Sequence, residues 1–532
     1  MANQAKEIIF DEEARKKLLT GIIKITDAIV CTLGPQGRNV GLEKSWGSPI
    51  IINDGNTIVK DMEFADQYEN MGASMVKEVA AKLKEKCGDG TTTTSLLLRT
   101  MAEEGVKYVS AGASPICLKR GMEKALEAIL KTLEQDSIAI KGDKEIVSIA
   151  TVSASGNHEI GQIIAEALKK VGKNGVVTIE EGKTTETEIH LVEGMRFDRG
   201  YASPYFCTDA EKMIVEMHEP VVLVVDKKIT SIQELIPILQ TVATLGKNLL
   251  IIADDFENEV LSTLVINRLR GSLKVTAVKA PGFGDRKKAM LEDIAVLTGS
   301  TLVTEERGLN LKDVTIQDLG SAEKILITKE HTTLIHGKGK KTAIDARVKQ
   351  IIAEEENASS SYDKEKAAER RAKLSGGVAV IKVGAPTESE MKQKKQIFED
   401  SLNSTKAALD EGVVAGGGTA LLRASQKALK KIKLTGDEAL GLAIVAKACE
   451  YPIRQIAINS GLEAAVILQQ VKEASDNIGF NAVSEKVEDL IHAGVIDATK
   501  VVKSCIMHAV SIAGIVLISE ALIGDAPEDS VA

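Results

Sequence analysis

The sequence predicts a multidomain α plus α/β protein, in which a mainly helical domain is drawn from both chain ends and an α/β domain is inserted between them. Three observations predict this. The 532-residue chain is longer than one hydrophobic core usually serves. Residues 8 to 133 and 419 to 523 carry apolar side chains mainly at helical spacing. From Pro220 onward, short β-branched runs alternate with helical ones, the rhythm of a parallel sheet flanked by helices.

In chain order, Ala14, Leu18, Ile22, Ile25 and Ile29 mark a first helix that stops at Thr32-Leu33-Gly34-Pro35-Gln36-Gly37, where Gly and Pro force a turn. Val40 to Leu42 and Pro49 to Ile52 read as strands, and Asn53-Asp54-Gly55 reads as a hairpin turn. Helices follow from 71 to 133, interrupted at Gly88-Asp89-Gly90-Thr91-Thr92-Thr93-Thr94 and at Gly112 to Pro115. The first interruption opens a helix, whose N-terminal N–H groups and dipole favour an anion. Its glycines let backbone approach a phosphate, and Asp89 offers the hard oxygen that Mg2+ requires. Taken alone, the stretch reads first as an Asp cap with a polar first turn.

Residues 144 to 175 continue as helices, and Val176 to Ile179 begins a β-rich section. Beyond Pro220 come strand 221–225, helix 232–245, strand 249–252, helix 259–270 and strand 275–278. Both helices are apolar over about half the wheel or more: Ile232, Leu235, Ile236, Ile238, Leu239, Val242 and Leu245 in the first, and Val260, Leu261, Leu264, Val265, Ile266 and Leu269 in the second. That is wider than one buried stripe needs. Each is therefore either sandwiched in a core or shows water a second apolar face.

Charged helices with a break near 357–361 fill residues 338 to 373, and a strand follows at 378–383. Thr387 to Glu390 is a capping box opening a helix with the stripe Met391, Phe398, Leu402 and Leu409. On that wheel Asp400 lies opposite the stripe, facing water or a ligand. Gly412 and Gly416 to Gly418 precede the closing helical section.

Composition narrows the function. A net charge of −9 without blocks argues against a nucleic-acid partner. The segment Cys505 to Ile523 is broken by His508, Ser511, Ser519 and Glu520, so it reads as a buried helix and not a membrane span. Six scattered cysteines suit reduced thiols, and the histidines form no metal-binding cluster. The start, MANQAKEIIFDEEARKK, has neither a secretory nor a typical transit composition. The expected location is the cytoplasm, or an organelle matrix or stroma if a transit peptide has been removed.

Taken together, TLGPQGRNV at 32–40, NDG at 53–55, ENMGASMVKEVA at 69–80, GDGTTTT at 88–94, RGYASPYF at 199–206, KAPGFGDRKKAML at 279–291, SGGVAVIKVGA at 375–385 and EGVVAGGGTAL at 411–421 are distinctive. In them the chain resembles the group I chaperonins, the bacterial GroEL type. The resemblance runs in register to about residue 525. It implies an equatorial ATPase domain (1–135 and 411–532), a hinge-like intermediate domain (136–192 and 376–410) and an apical client-binding domain (193–375). It also implies two stacked seven-membered rings closed by a small lid co-chaperonin of the GroES type. Hinge candidates are Gly194, Gly376, Gly377 and Gly412.

By position, the resemblance assigns Thr32, Leu33, Gly34, Pro35, Asn53, Asp89, Gly90, Thr91, Thr92, Thr93, Gly417, Asn481, Ala482, Val483 and Asp497 to a nucleotide pocket. Asp89 would hold Mg2+, with room for K+ as a second ion, and Asp54 and Asp400 would handle the attacking water. Tyr201, Tyr205, Phe206, Ile236, Leu239, Leu261, Val265 and Ile266 match client and lid contacts. Arg454 and Glu463 match contacts between rings. Family members usually have lysine where this chain has Gln36 and Asn53, and a Gly-Gly-Met repeat where it ends in PEDSVA. The expected function is ATP-driven folding of unfolded clients. The alternative is a paralogue that holds clients with weak turnover; a kinase or synthetase is disfavoured by the lack of a P-loop motif.

Overall fold

The computed structural model describes residues 5–43, 49–140, 142–154, 156–171, 176–182, 184–210, 212–282, 284–304, 308–358, 360–375 and 377–526. Hinge candidate Gly376 and the PEDSVA end lie outside them. The chain divides into two compact units, one of residues 1–165 with 387–532 and the other of residues 166–386.

The first unit is built on long helices: α1 (Asp11–Val30), α2 (Gly55–Asp61), α3 (Gln67–Cys87), α4 (Thr91–Ser110), α5 (Pro115–Asp136) and α6 (Asp143–Ser153). After α7 (His158–Val171), which runs across the boundary between units, the chain returns to it as α13 (Glu388–Glu411), α14 (Thr419–Leu429), α15 (Asp437–Ala448), α16 (Tyr451–Asn459), α17 (Ala464–Glu473) and α18 (Thr499–Ile518). The predicted stripe of α1 is fully buried from Ala14 to Ile29. It packs on α3 and α4, while α18 packs on α4 and α5. Such spacing places i, i+3, i+4 and i+7 on one buried face. Helix α18 is long and apolar enough to cross a membrane, but 56% of it is buried inside the protein, as a core helix requires.

Short strand pairs join this unit's distant segments. Strand β1 (Lys6–Phe10), which the helical pattern did not reveal, pairs antiparallel with β19 (Ala521–Asp525). Strands β2 (Val40–Leu42) and β3 (Ile50–Ile52) were both expected, and they pair with each other antiparallel. Asn53-Asp54-Gly55 is not the hairpin turn that the sequence had suggested. Asp54 is instead the N-cap of α2, accepting from the N–H groups of Asn56 (3.3 Å) and Thr57 (3.0 Å). A carboxylate followed by free amides is as good a helix start as a turn. Strand β15 (Val413–Ala415) pairs with β18 (Ile496–Ala498), and β16 (Ile478–Asn481) with β17 (Lys486–Asp489).

The second unit holds β4 (Val176–Glu181), β5 (Glu188–Val192), β6 (Gly194–Phe197), β7 (Val215–His218), β8 (Val221–Ile229), β9 (Leu249–Phe256), β10 (Val275–Lys279), β11 (Leu302–Val303), β12 (Gly320–Ile327), β13 (Thr332–Gly337) and β14 (Val378–Val383). Strands β8, β9, β10 and β11 are parallel, as the alternating pattern predicted. Through β12 this sheet continues antiparallel to β13 and β6. A separate sheet has the order β4-β14-β5. The connecting helices are α8 (Ile236–Thr244), preceded by a 3-10 turn at Ile232–Glu234, α9 (Asn258–Leu269) and α10 (Asp285–Thr298). The charged helices α11 (Lys341–Asn357) and α12 (Ser361–Ser375) are pinned to α10 by a fully buried carboxylate. Asp293 accepts from Arg347 Nε at 2.7 Å and from Arg370 Nε at 2.9 Å, the pairing that a buried charge needs.

Candidate functional site

The Gly88 to Thr94 stretch joins the end of α3 to the start of α4. Gly88 ends α3 at φ 79° and Gly90 precedes α4 at φ 96°, left-handed conformations that glycine adopts without strain. The cap of α4 is therefore Gly90 and not Asp89. The first intrahelical bond runs from Thr94 N to Gly90 O at 2.9 Å, so the amides of Thr91, Thr92 and Thr93 have no acceptor within the helix. Asp89 accepts from Gly90 N at 2.6 Å. Water reaches Asp89, but the protein walls around it remove hydration and push its carboxyl above the ordinary range, with the Asp54 charge adding to the rise.

Two more carboxylates converge here from other segments. Asp54 takes a 2.5 Å bond from Thr57 Oγ1 and lies 3.4 Å from Lys84 Nζ on α3. Asp400 on α13 lies 3.3 Å from the same ammonium and accepts from Gln396 Nε2 at 2.8 Å. The wheel placed Asp400 opposite the apolar stripe, facing water or a ligand; in the structure it is largely buried against Lys84 of α3, one of the helices that α13 packs on. Burial pushes the Asp400 carboxyl up to about 8, with Lys84 opposing and Asp54 and Asp89 adding to the rise.

A second wall stands nearby. Asp497 on β18 is pushed up to about 7 by burial, with the Asp89 charge adding. A Cβ on Gly416 would lie 3.2 Å from its Oδ1, and one on Gly417 would lie 3.3 Å from Phe480 O, so this loop passes close to both. Asn481 donates to Glu488 Oε1 at 2.7 Å and accepts from Val483 N at 3.0 Å. Ala482 is buried and Val483 is exposed. Leu33 packs into the same apolar cluster as Phe480 and Ala482, and Asn459 Nδ2 fixes the Thr32–Pro35 turn through Val30 O and Leu33 O. Gln36 is exposed, Asn53 is half-buried, and neither carries charge.

Sequence reasoning missed Lys84, Thr57 and Gln396. The available signal for Lys84 was its place one helical turn before Gly88, and that for Gln396 its place one turn before Asp400.

In the second unit, the over-wide apolar helices do show water a second face. Ile236 is 40%, Ile266 46% and Leu269 66% exposed, Leu261 and Val265 are half-buried, and Tyr205 is 67% exposed. The turn at 204–206 packs on α9, which also meets the 3-10 turn before α8. Tyr201, Phe206 and Leu239 lie in the core beneath. Of the hinge candidates described, Gly377 and Gly412 have positive φ. Gly194 is held where a Cβ would stand 2.5 Å from Leu334 O.

A discontinuous helical unit with clustered carboxylates, interrupted by an α/β unit with an exposed apolar face, is the plan of a chaperonin. The TCP-1/cpn60 chaperonin family matches residues 25–527, and the chain belongs to it. Among individual proteins it is similar to Chaperonin GroEL 3 of Protochlamydia amoebophila (strain UWE25), with 61% identity over 524 residues and 98% of each chain covered. The fold is shared with the crystal structure of the chaperonin gp146 from the bacteriophage EL 2 (Pseudomonas aeruginosa), at TM-score 0.69 and 20% identity, covering 98% of this chain and 99% of that one. The protein is an ATP-dependent molecular chaperone of this family.

Proposed function

We propose that the first unit hydrolyses ATP at the Asp54–Asp89–Asp400 cluster and that the second binds unfolded clients on its exposed apolar face. The observation carrying this reading is the convergence of Asp54 and Asp400 on the Lys84 ammonium, with Asp89 close enough to feel their charge, beside the free amides of α4. Burial raises the Asp89 and Asp400 carboxyls, and the neighbouring carboxylate charges add to the rise, so a cation here would be favoured. The residues therefore fit Mg2+. Asp89 would hold the ion, which neutralises charge on the phosphates when bound.

The amides of Thr91 to Thr93 would receive the terminal phosphates, as helix N-termini do. Leu33, Gly417, Asn481, Ala482, Val483 and Asp497 would form the wall for the nucleoside. Asp54 and Asp400 would orient the attacking water. As its oxygen bonds to the terminal phosphorus, the bond to the bridging oxygen breaks, ADP departs with the electron pair, and a carboxylate takes the water's proton.

In the second unit, exposed aliphatic side chains would bind unfolded chains without reading their sequence. The three-domain division, with equatorial 1–135 and 411–532, intermediate 136–192 and 376–410, and apical 193–375, is part of this reading. So are rings of seven, in which multiplicity would raise avidity, and a lid co-chaperonin. A refolding assay tests it: ATP with a lid co-chaperonin should yield active client, whereas suppression of aggregation with no recovered activity would contradict it.

A further inference from the structure

The ammonium of Lys84 is the one charged group among the three site residues that sequence reasoning did not anticipate. It lies 3.4 Å from Asp54 and 3.3 Å from Asp400, and among the described residues no other cation contacts either carboxylate. Its place is fixed by packing. Gly88, one turn on, donates its N–H to Lys84 O at 3.0 Å, and a Cβ on Gly88 would lie 2.4 Å from Asn403 Cβ and 3.2 Å from Asp400 O. The end of α3 is thus pressed onto α13 with no side chain between them, which brings Lys84 to Asp400. Position 53, beside Asp54, is uncharged in this chain. Lysine carries a compact point charge on a flexible stem, so it can exchange one anionic partner for another without moving its helix.

We propose that Lys84 is a positioning residue of the hydrolytic site, whose ammonium draws Asp54 and Asp400 together in the nucleotide-free protein and turns to the terminal phosphate oxygens of a bound nucleoside triphosphate, supplying the positive charge that Asn53 lacks. This rests on the hydrolytic reading above. Without Lys84, the two carboxylates repel each other and the incoming phosphates lose its ammonium.

The test compares native protein, Lys84→Gln, and Lys84→Gln combined with Asn53→Lys, with Asp400→Ala as reference. Two quantities are read: affinity for ATP in the presence of a chelator, which reports the ammonium without any divalent ion, and kcat with KM in magnesium. Lys84→Gln should weaken chelator-condition affinity about tenfold and lower kcat by a similar factor, and the double variant should recover most of both. A purely structural ion pair would lower thermal stability and leave those readouts in place. If Lys84→Gln does not assemble, the double variant, which keeps the local charge, decides: affinity within about threefold of native supports the proposal, and a folded double variant still tenfold weak overturns it. Native values in Lys84→Gln with an inactive Asp400→Ala overturn the Lys84 role alone, whereas native hydrolysis in Asp400→Ala overturns the reading beneath it.

Discussion

Gly55 and Thr92 meet with no room for a side chain between them: a Cβ on Gly55 would stand 2.5 Å from Thr92 Oγ1. The starts of α2 and α4 are therefore in contact, which is how Asp54, capping one helix, comes to share a site with Asp89, one residue before the cap of the other. A methyl added at Gly55 would have to displace the Thr92 hydroxyl.

Gly55→Ala is accordingly expected to push the Thr92 side chain out of its place between the two helix starts. Overpacking of this kind costs about 1–3 kcal/mol, and the loss should appear in thermal unfolding together with weakened nucleotide binding. Gly142→Ala is the control, because nothing lies within 4 Å of its added Cβ. Equal behaviour of the two variants would contradict the packing argument.

Nucleotide affinity should depend on pH through Asp400. Burial holds its carboxyl at about 8 in the free protein, so below that pH the group carries a proton, and anionic phosphates bound beside it, with Lys84 turned toward them, hold that proton more tightly. Affinity is then highest below about pH 8 and falls above it, by at most tenfold per pH unit for one proton. Asp400→Asn cannot titrate and should flatten the curve. Binding isotherms between about pH 6 and 9 measure this, and parallel curves for native and variant would refute it.

The apolar surface separates from the apolar core by substitution. Ile266→Ser and Leu269→Ser alter side chains that are 46% and 66% exposed, so stability should move by about 0.5 kcal/mol or less while suppression of client aggregation falls. Phe206→Ala empties a fully buried position and should cost about 3–5 kcal/mol. Unimpaired client capture by the double serine variant would show that the face is not the binding surface.

How much of this was legible in the sequence follows from how local each signal is. The break at Gly88 to Thr94 was readable because glycines punctuate two strong helical patterns. The role of Asp54 was misread because Asn-Asp-Gly satisfies turn chemistry and capping chemistry alike, and only the placement of Asn56 and Thr57 decides between them. The wheel put Asp400 opposite the apolar stripe but could not show its burial against Lys84, because a wheel assumes one packing face and α13 also meets α3. Lys84 was invisible because α3 ends in the run KLKEKC, and which of its lysines meets Asp400 is settled by α13, more than three hundred residues away. The wide apolar arcs of α8 and α9 were correctly seen, but their division into core and surface needed the sheet they cover.

The most direct measurement is steady-state ATP hydrolysis by Asp400→Ala, with nucleotide binding followed in parallel. If Asp54 and Asp400 handle the attacking water at a pocket built on Asp89 and α4, the variant should still bind ATP and should lose about a hundredfold or more in kcat, in line with removal of a general base. An Asp400→Ala protein that hydrolyses ATP at the native rate would contradict the account.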